Sequence, residues 1–326
     1  MSPPFEYRLM VKELVIAVSL GLASALLLLI SIIGNDGGAN FGIALQSLML
    51  WTLSLVPIFI SGLGFGVVSA AVSVLTAAIL FSVAIDPVFG ITFAFFAGLP
   101  IILLVRQALL WREMDGGKHW YPTERLMLWW VGICVVLTAA VLSLLYLNDE
   151  MRQGLVAGFD QVLAQFKEIQ GVEPTVTAEE FVALIPQFVG PMWGLFILLS
   201  GCIAQAVLVR FNKNLRPTPK LTEMELPKWM AFVFVGVTAL FVFLGGGWPL
   251  LGALVIALET VFFLQGMAVI HMVTKRFNGR PFILGVIYVL MILMLWLVLV
   301  VTILGLMENW IGFRRRFAVT TPQEED

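Results

Sequence analysis

Charge is what this chain has least of. Asp, Glu, Lys and Arg make up 12% of its 326 residues, about half the share of a typical soluble domain. That shortage, with 60% hydrophobic residues, excludes an ordinary water-exposed surface. Cysteine is almost as rare: Cys134 and Cys202 both fall in apolar runs, with no CxxC and no histidine beside them. Neither a disulfide framework nor a metal site is therefore indicated, and both thiols read as core filler. His119 and His271 are the only histidines. GxxxxGK[ST], HExxH and GxSxG are all missing, which argues against a self-contained ATPase or hydrolase. No cofactor is expected, and a net charge of -2 gives no reason to invoke nucleic acid.

What the chain has instead is length in its apolar runs. A helix needs roughly 20 apolar residues to cross a bilayer. Nine candidate spans follow from the breaks at Gly, Pro and charge: 14–33, 41–61, 65–85, 88–110, 126–147, 188–210, 228–245, 249–273 and 281–306. Alternating outer-membrane strands do not give such continuous runs. The fold class expected is all-α, a polytopic transmembrane bundle forming a single integral membrane domain over 1–326. The first run is too long for a secretory signal and lacks a clear cleavage site, so it is kept as a permanent helix.

Lys and Arg in short loops mark the cytoplasmic side. Arg8 and Lys12, then Arg112, Lys118 and Arg125, then Arg210 to Lys228, then Lys275, Arg276 and Arg280 all fall on one side. The opposite loops, "GNDGGAN", "IDP" and "GGGWP", carry none. The C-terminal "GFRRRFAVTTPQEED" breaks the rule, because nine spans put Arg314, Arg315 and Arg316 outside. Either the long last run turns back, or one crossing is miscounted, or the rule fails there, so eight and ten spans stay open beside nine.

One long insertion, Asn148 to Gln187, lies on the outer side with two cations against seven carboxylates, net -5. Leu155, Phe159, Val162, Leu163, Phe166 and Ile169 recur at helical spacing, and "TAEE" puts Thr177 and Glu180 at capping-box spacing. Two short amphipathic helices are expected, acting as a connector on the bundle or as a lid.

Ionisable groups at bilayer depth usually face the bundle interior, a cavity or a partner. Glu259 is the clearest of them, in "ETVFFLQGMAVIHMVTKR". At about 100° per residue Gln265 lies roughly 240° round from Glu259, and His271 roughly 120°, so no single polar face or proton wire results. His271 reads as an interfacial residue at the basic cytoplasmic end, and Gln265 as a position where an amide bonds across to a neighbouring helix. Gln46, Gln205, Glu308 and Asn309 are the other polar groups at depth. Glu259, Gln265, Gln46 and Gln205 are the candidate ligand-binding residues. Small residues recur at Ala17, Gly21 and Ala25 and at Gly62, Gly66 and Ala70, a spacing that lets helices approach closely for packing or partner docking.

The stretches "ELPKWMAFVFV" (225–235), "FFLQGMAVIHMVTKR" (262–276), "LGLMENWIGFRRR" (304–316) and "AGLPIILLVR" (97–106) resemble the YybS-like family of polytopic bacterial membrane proteins, a domain of unknown function. That family is thought to be similar to the substrate-binding S components of energy-coupling-factor transporters and to the rod-shape protein MreD. The resemblance implies a bundle in the bacterial inner membrane that binds a small molecule from the outer side and docks a partner through small residues. Three readings follow. The first is a non-enzymatic S-component-like subunit binding a small solute or lipid-like ligand near Glu259, working with a partner protein or as a homo-oligomer. The second is an MreD-like scaffold with no ligand. The third is a lipid-acting enzyme with Glu259 as general base.

Overall fold

A computed structural model describes residues 5–33, 41–114, 116–171, 175–220 and 223–318. Residues 34–40, Glu173 and 319–326 lie outside the described residues. Among the described residues seven helical segments are long and apolar enough to cross a membrane, and Lys228–Phe243, Arg280–Leu293 and Trp296–Ile311 are shorter apolar helices. The contacts fall into two compact units, Met1–Trp130 with Met192–Thr218, and Val131–Pro191 with Pro219–Asp326.

The first unit holds α1 (Phe5–Ile33), α2 (Phe41–Phe65), α3 (Val67–Ala84), α4 (Pro87–Phe93) and α5 (Leu99–Ala108), with a π-helical turn over Ala94–Gly98 joining the last two. Asp86 starts α4 by capping: its Oδ1 accepts from the backbone N–H of Val88 at 2.6 Å and of Phe89 at 3.1 Å, with Pro87 at the first helical position. Pro100 has no N–H to give the Phe96 carbonyl four residues back, and a carbonyl freed at bilayer depth must find another donor. The Trp193 indole supplies it at 2.6 Å. An antiparallel hairpin of β1 (Trp111–Met114) and β2 (Gly117–Trp120) follows α5, a small exception to the all-α expectation.

The small-residue stripes behave differently from one another. Gly21 lies so close to α3 that a Cβ there would sit 2.5 Å from the Ser73 carbonyl. Ala17 and Ala25 are buried, and the Ser73 hydroxyl lies 2.7 Å from the Ala17 carbonyl and 2.8 Å from Ser61 Oγ. Of the two uses open to Ala17, Gly21 and Ala25, the structure shows packing within the chain, with α3 against that face. Gly62 packs against Val105 and Ala70, also within the chain. Gly66 packs against nothing; its φ of +103° breaks the chain between α2 and α3. Gly62, Gly66 and Ala70 therefore do not share one helix.

α6 (Thr123–Leu147) and α8 (Ala178–Arg210) each contribute to both units. The capping box forms, with Glu180 Oε2 accepting from Thr177 N–H at 2.9 Å and Thr177 Oγ1 accepting from Glu180 N–H at 3.2 Å. The helix it starts runs on through Pro186 and Pro191 into the membrane run as one element of 33 residues, so the second expected amphipathic helix is the head of a long one. The first is α7 (Asp149–Gln170), which meets α8 through Phe159 and Phe181.

The second unit also contains α9 (Lys228–Phe243), α10 (Pro249–Val273), α11 (Arg280–Leu293), α12 (Trp296–Ile311) and α13 (Phe313–Ala318), with a 3₁₀ turn over Thr274–Arg276. α9 and α10 form a hairpin around Leu244–Trp248, with Phe234 stacked on Phe262. The run expected as one span over 281–306 is two helices, broken at Met294 and Leu295. At 1.5 Å per residue the 14 residues of α11 reach about 21 Å, short of a hydrocarbon core of about 30 Å. Around the break Met294 donates to Leu290 O at 2.7 Å, and tighter i−3 bonds run from Leu297 to Met294 O at 2.9 Å and from Val298 to Leu295 O at 3.1 Å. α12 packs on α10 with Gly266 against Val301 and Gly305 against Phe262, glycine facing helix backbone on both sides.

Candidate functional site

The polar residues of the second unit converge where α12 ends. Glu308 lies in the last turn of α12, and Gly312, at φ +64°, reverses the chain. That turn is stapled. Gly312 N–H donates to Glu308 O at 3.0 Å, and the Glu308 carboxylate takes the Arg314 Nε–H at 2.9 Å. Both side chains are below a tenth exposed. A buried carboxylate and guanidinium hold each other only with good geometry and further hydrogen bonds, and the Arg314 backbone N–H adds one at 3.3 Å.

One residue further, Arg315 reaches the loop before α9. Its NH2 group donates to Glu225 Oε2 at 2.7 Å and its Nε to Glu225 Oε1 at 3.2 Å, a two-pronged pair. This hydrogen bonding holds the Glu225 carboxyl below its ordinary range, against a smaller upward push from burial. The pair also brings the end of α12 beside the start of α9.

Between these elements lies a cavity of about 540 Å³, with Gln265 and Asn309 in its wall beside Glu225, Lys228, Glu308 and Arg314 to Arg316. Gln265 is 1% exposed, and its Nε2 donates to Asn309 Oδ1 at 2.7 Å. Gln265 Oε1 and Asn309 Nδ2 have no partner although both atoms are buried. Two amides joined by one N–H···O bond leave one NH2 group and one C=O without a partner, whichever way round they stand. Leaving such groups buried and unmet costs about 1–3 kcal/mol each. The wall carries four cations against two carboxylates. Both carboxylates are held by arginines, so the surplus rests on Lys228 and Arg316.

Of the four residues expected to bind ligand, Gln265 alone lines this cavity. Glu259 is half-buried on α10, six residues before Gln265 and about 9 Å along the axis. Gln205 is occupied elsewhere, donating to Arg216 O at 2.9 Å and to Thr218 Oγ1 at 3.3 Å. Gln46 is exposed in the first turns of α2, whereas Gln205 lies toward the opposite end of that helix, where Leu208 packs on Gly64. Gln46 and Gln205 therefore cannot share a site. Sequence reasoning missed the convergence of Glu225, Lys228 and Arg314 to Arg316 on Gln265. The misplaced arginines were its one sign.

Length, composition and helices define a multi-pass membrane protein of helical class. Residues 45–308 match the family described as "Predicted membrane protein (DUF2232)", and the chain belongs to that family. The match takes in Glu225, Lys228, Gln265 and Glu308 and ends before Asn309 and the arginines. Neither a curated protein nor a solved structure matches the chain. Among the described residues no group of His, Cys, Asp and Glu could hold a metal ion.

Proposed function

We propose that the chain is a non-enzymatic binding subunit of the bacterial inner membrane, of the S-component-like kind its residues resemble. Its ligand sits at the cytoplasmic end of the second unit rather than beside Glu259. The observation that carries this reading is the buried, unpartnered amide pair Gln265 and Asn309 in the wall of a cationic cavity. A pair of that kind is costly in a merely structural role and useful against a ligand with complementary donors and acceptors. The absence of a nucleotide motif in the sequence is why a separate partner does any energising.

The same contacts support a cytoplasmic orientation for the cavity. α9 starts, α10 ends, α11 starts and α12 ends at one end of the second unit, which bears Lys228, Lys275, Arg276, Arg280 and Arg314 to Arg316. Leu244–Trp248 at the other end bears none. By the positive-inside rule the basic end is cytoplasmic. The chain then makes the seven long crossings and an eighth through α9, a shorter apolar helix of 16 residues that forms a hairpin with α10. α11 and α12 enter and return without crossing, and the arginines no longer break the rule.

The test is native mass spectrometry of the purified full chain. A bound species is expected on the wild type, reduced at least about tenfold by Gln265→Leu with Asn309→Leu and unchanged by Glu259→Gln in protein that stays monodisperse. Retention lost with Glu259→Gln and kept in the double variant would return the site to Glu259. A second reading, an MreD-like scaffold, draws on α7, where Val162, Phe166 and Ile169 stay exposed. A stoichiometric partner that disappears on deletion of 148–187, with no bound ligand, would favour it.

A further inference from the structure

The binding reading leaves open what kind of molecule the cavity takes, and the groups in its wall narrow the choice. Two carboxylates in it are already held, Glu308 by Arg314 at 2.9 Å and Glu225 by Arg315 at 2.7 Å. Lys228 and Arg316 also line it. Both are exposed and meet no carboxylate among the described residues, so two positive charges stand ready at the mouth. Deeper, the amide pair leaves one NH2 group and one C=O without a partner. A hydroxyl satisfies both, since it accepts from the first and donates to the second. An anionic oxygen alone would satisfy only the donor.

The location adds a third constraint. Lys228 opens a membrane helix, and Trp229 and Trp310 stand exposed at the same end, as tryptophans do at the headgroup layer. The cavity therefore opens where lipid headgroups lie. Resting on the binding reading above, we propose that the cavity takes a phosphate ester bearing a free hydroxyl, presented as the headgroup of a membrane lipid. The phosphate meets Lys228 and Arg316, and the hydroxyl meets Gln265 and Asn309. A choline headgroup is disfavoured because its cation faces a cationic mouth and it brings no hydroxyl.

The full chain, purified with its membrane lipid and exchanged into nanodiscs, is offered phosphatidylcholine with phosphatidylglycerol, phosphatidic acid or neither. Retained lipid is read by native mass spectrometry. Phosphatidylglycerol is expected to be enriched at least about tenfold over phosphatidylcholine, and Lys228→Gln with Arg316→Gln, both at exposed positions, should abolish that enrichment. Asn309→Leu should remove only the preference for phosphatidylglycerol over phosphatidic acid. Equal retention of all three lipids, or enrichment unchanged by the Lys228 and Arg316 substitutions, overturns the proposal. Displacement of the lipid by dissolved glycerol 3-phosphate overturns the lipid source in favour of a soluble phosphorylated polyol. Retention of an uncharged molecule sinks the phosphate assignment but keeps the binding reading, whereas no bound species in any arm sinks both.

Discussion

The two units of this protein handle buried polarity in opposite ways. In the first, polar side chains serve backbone. Trp193 takes the Phe96 carbonyl, Trp130 takes the Gly194 carbonyl at 2.7 Å, Ser200 takes that of Thr52 at 2.8 Å, and Arg216 takes those of Ala108 and Tyr121 at 2.8 Å each. Among the described residues the first unit leaves only Ser24 Oγ buried without a partner, whereas the second leaves Thr138, Gln187, Thr238, Gln265, Arg280 and Asn309. A bilayer offers no water to such groups.

The comparison breaks most sharply if the second unit is threaded through the membrane differently. With Cys134 and Cys202 replaced by alanine, a cysteine introduced by Asp326→Cys should react with an impermeant maleimide in inverted vesicles and stay silent in right-side-out ones. Trp248→Cys should give the reverse. The effect is all or none. Labelling of both positions from the outside would restore a ninth crossing and remove the cytoplasmic cavity with it.

A smaller effect separates the units energetically. Glu308→Ala leaves Arg314 buried without its carboxylate and should cost about 3–5 kcal/mol, read as a lower unfolding temperature in detergent. Removing both partners, as Glu308→Ala with Arg314→Leu, should cost less than removing one. Ser73→Ala in the first unit deletes an interhelical hydroxyl contact of a kind worth about 0.6 kcal/mol in membranes. If the two single substitutions destabilise equally, Glu308 and Arg314 do not form the staple at the end of α12.

Much of this is legible in the sequence. The span over 249–273 coincides with α10, because a long apolar run leaves a helix no alternative in lipid. Thr177 and Glu180 formed their capping box because that motif is local. What could not be read was registration between distant segments. Gln265 and Asn309 stand 44 residues apart, and Arg315 and Glu225 stand 90 apart. The break at Met294 and Leu295 carries neither Gly nor Pro, so nothing local announces it. The stripe of Ala17, Gly21 and Ala25 was visible as a close-approach surface, but spacing alone does not name the helix that approaches, which is α3. Only the arginines at 314–316, set against the charge rule, pointed to the tertiary arrangement.

The smallest effect concerns how α13 is held. Glu225 and Arg315 are both largely exposed, so their pair is weak and screened by salt. Because hydrogen bonding to Arg315 lowers the Glu225 carboxyl in the folded state, its contribution is complete above the ordinary carboxylate range. It is lost as pH falls through the lowered value. A spin label introduced at α13 by Phe317→Cys, in the same cysteine-free background, should therefore stay immobilised at neutral pH and gain mobility as the medium becomes acidic. Raised salt should give part of the same change at neutral pH. Glu225→Gln should show the mobile spectrum throughout, with no pH dependence. An unchanged acid transition in that variant would assign the tether to another carboxylate, with Glu308 the next to test.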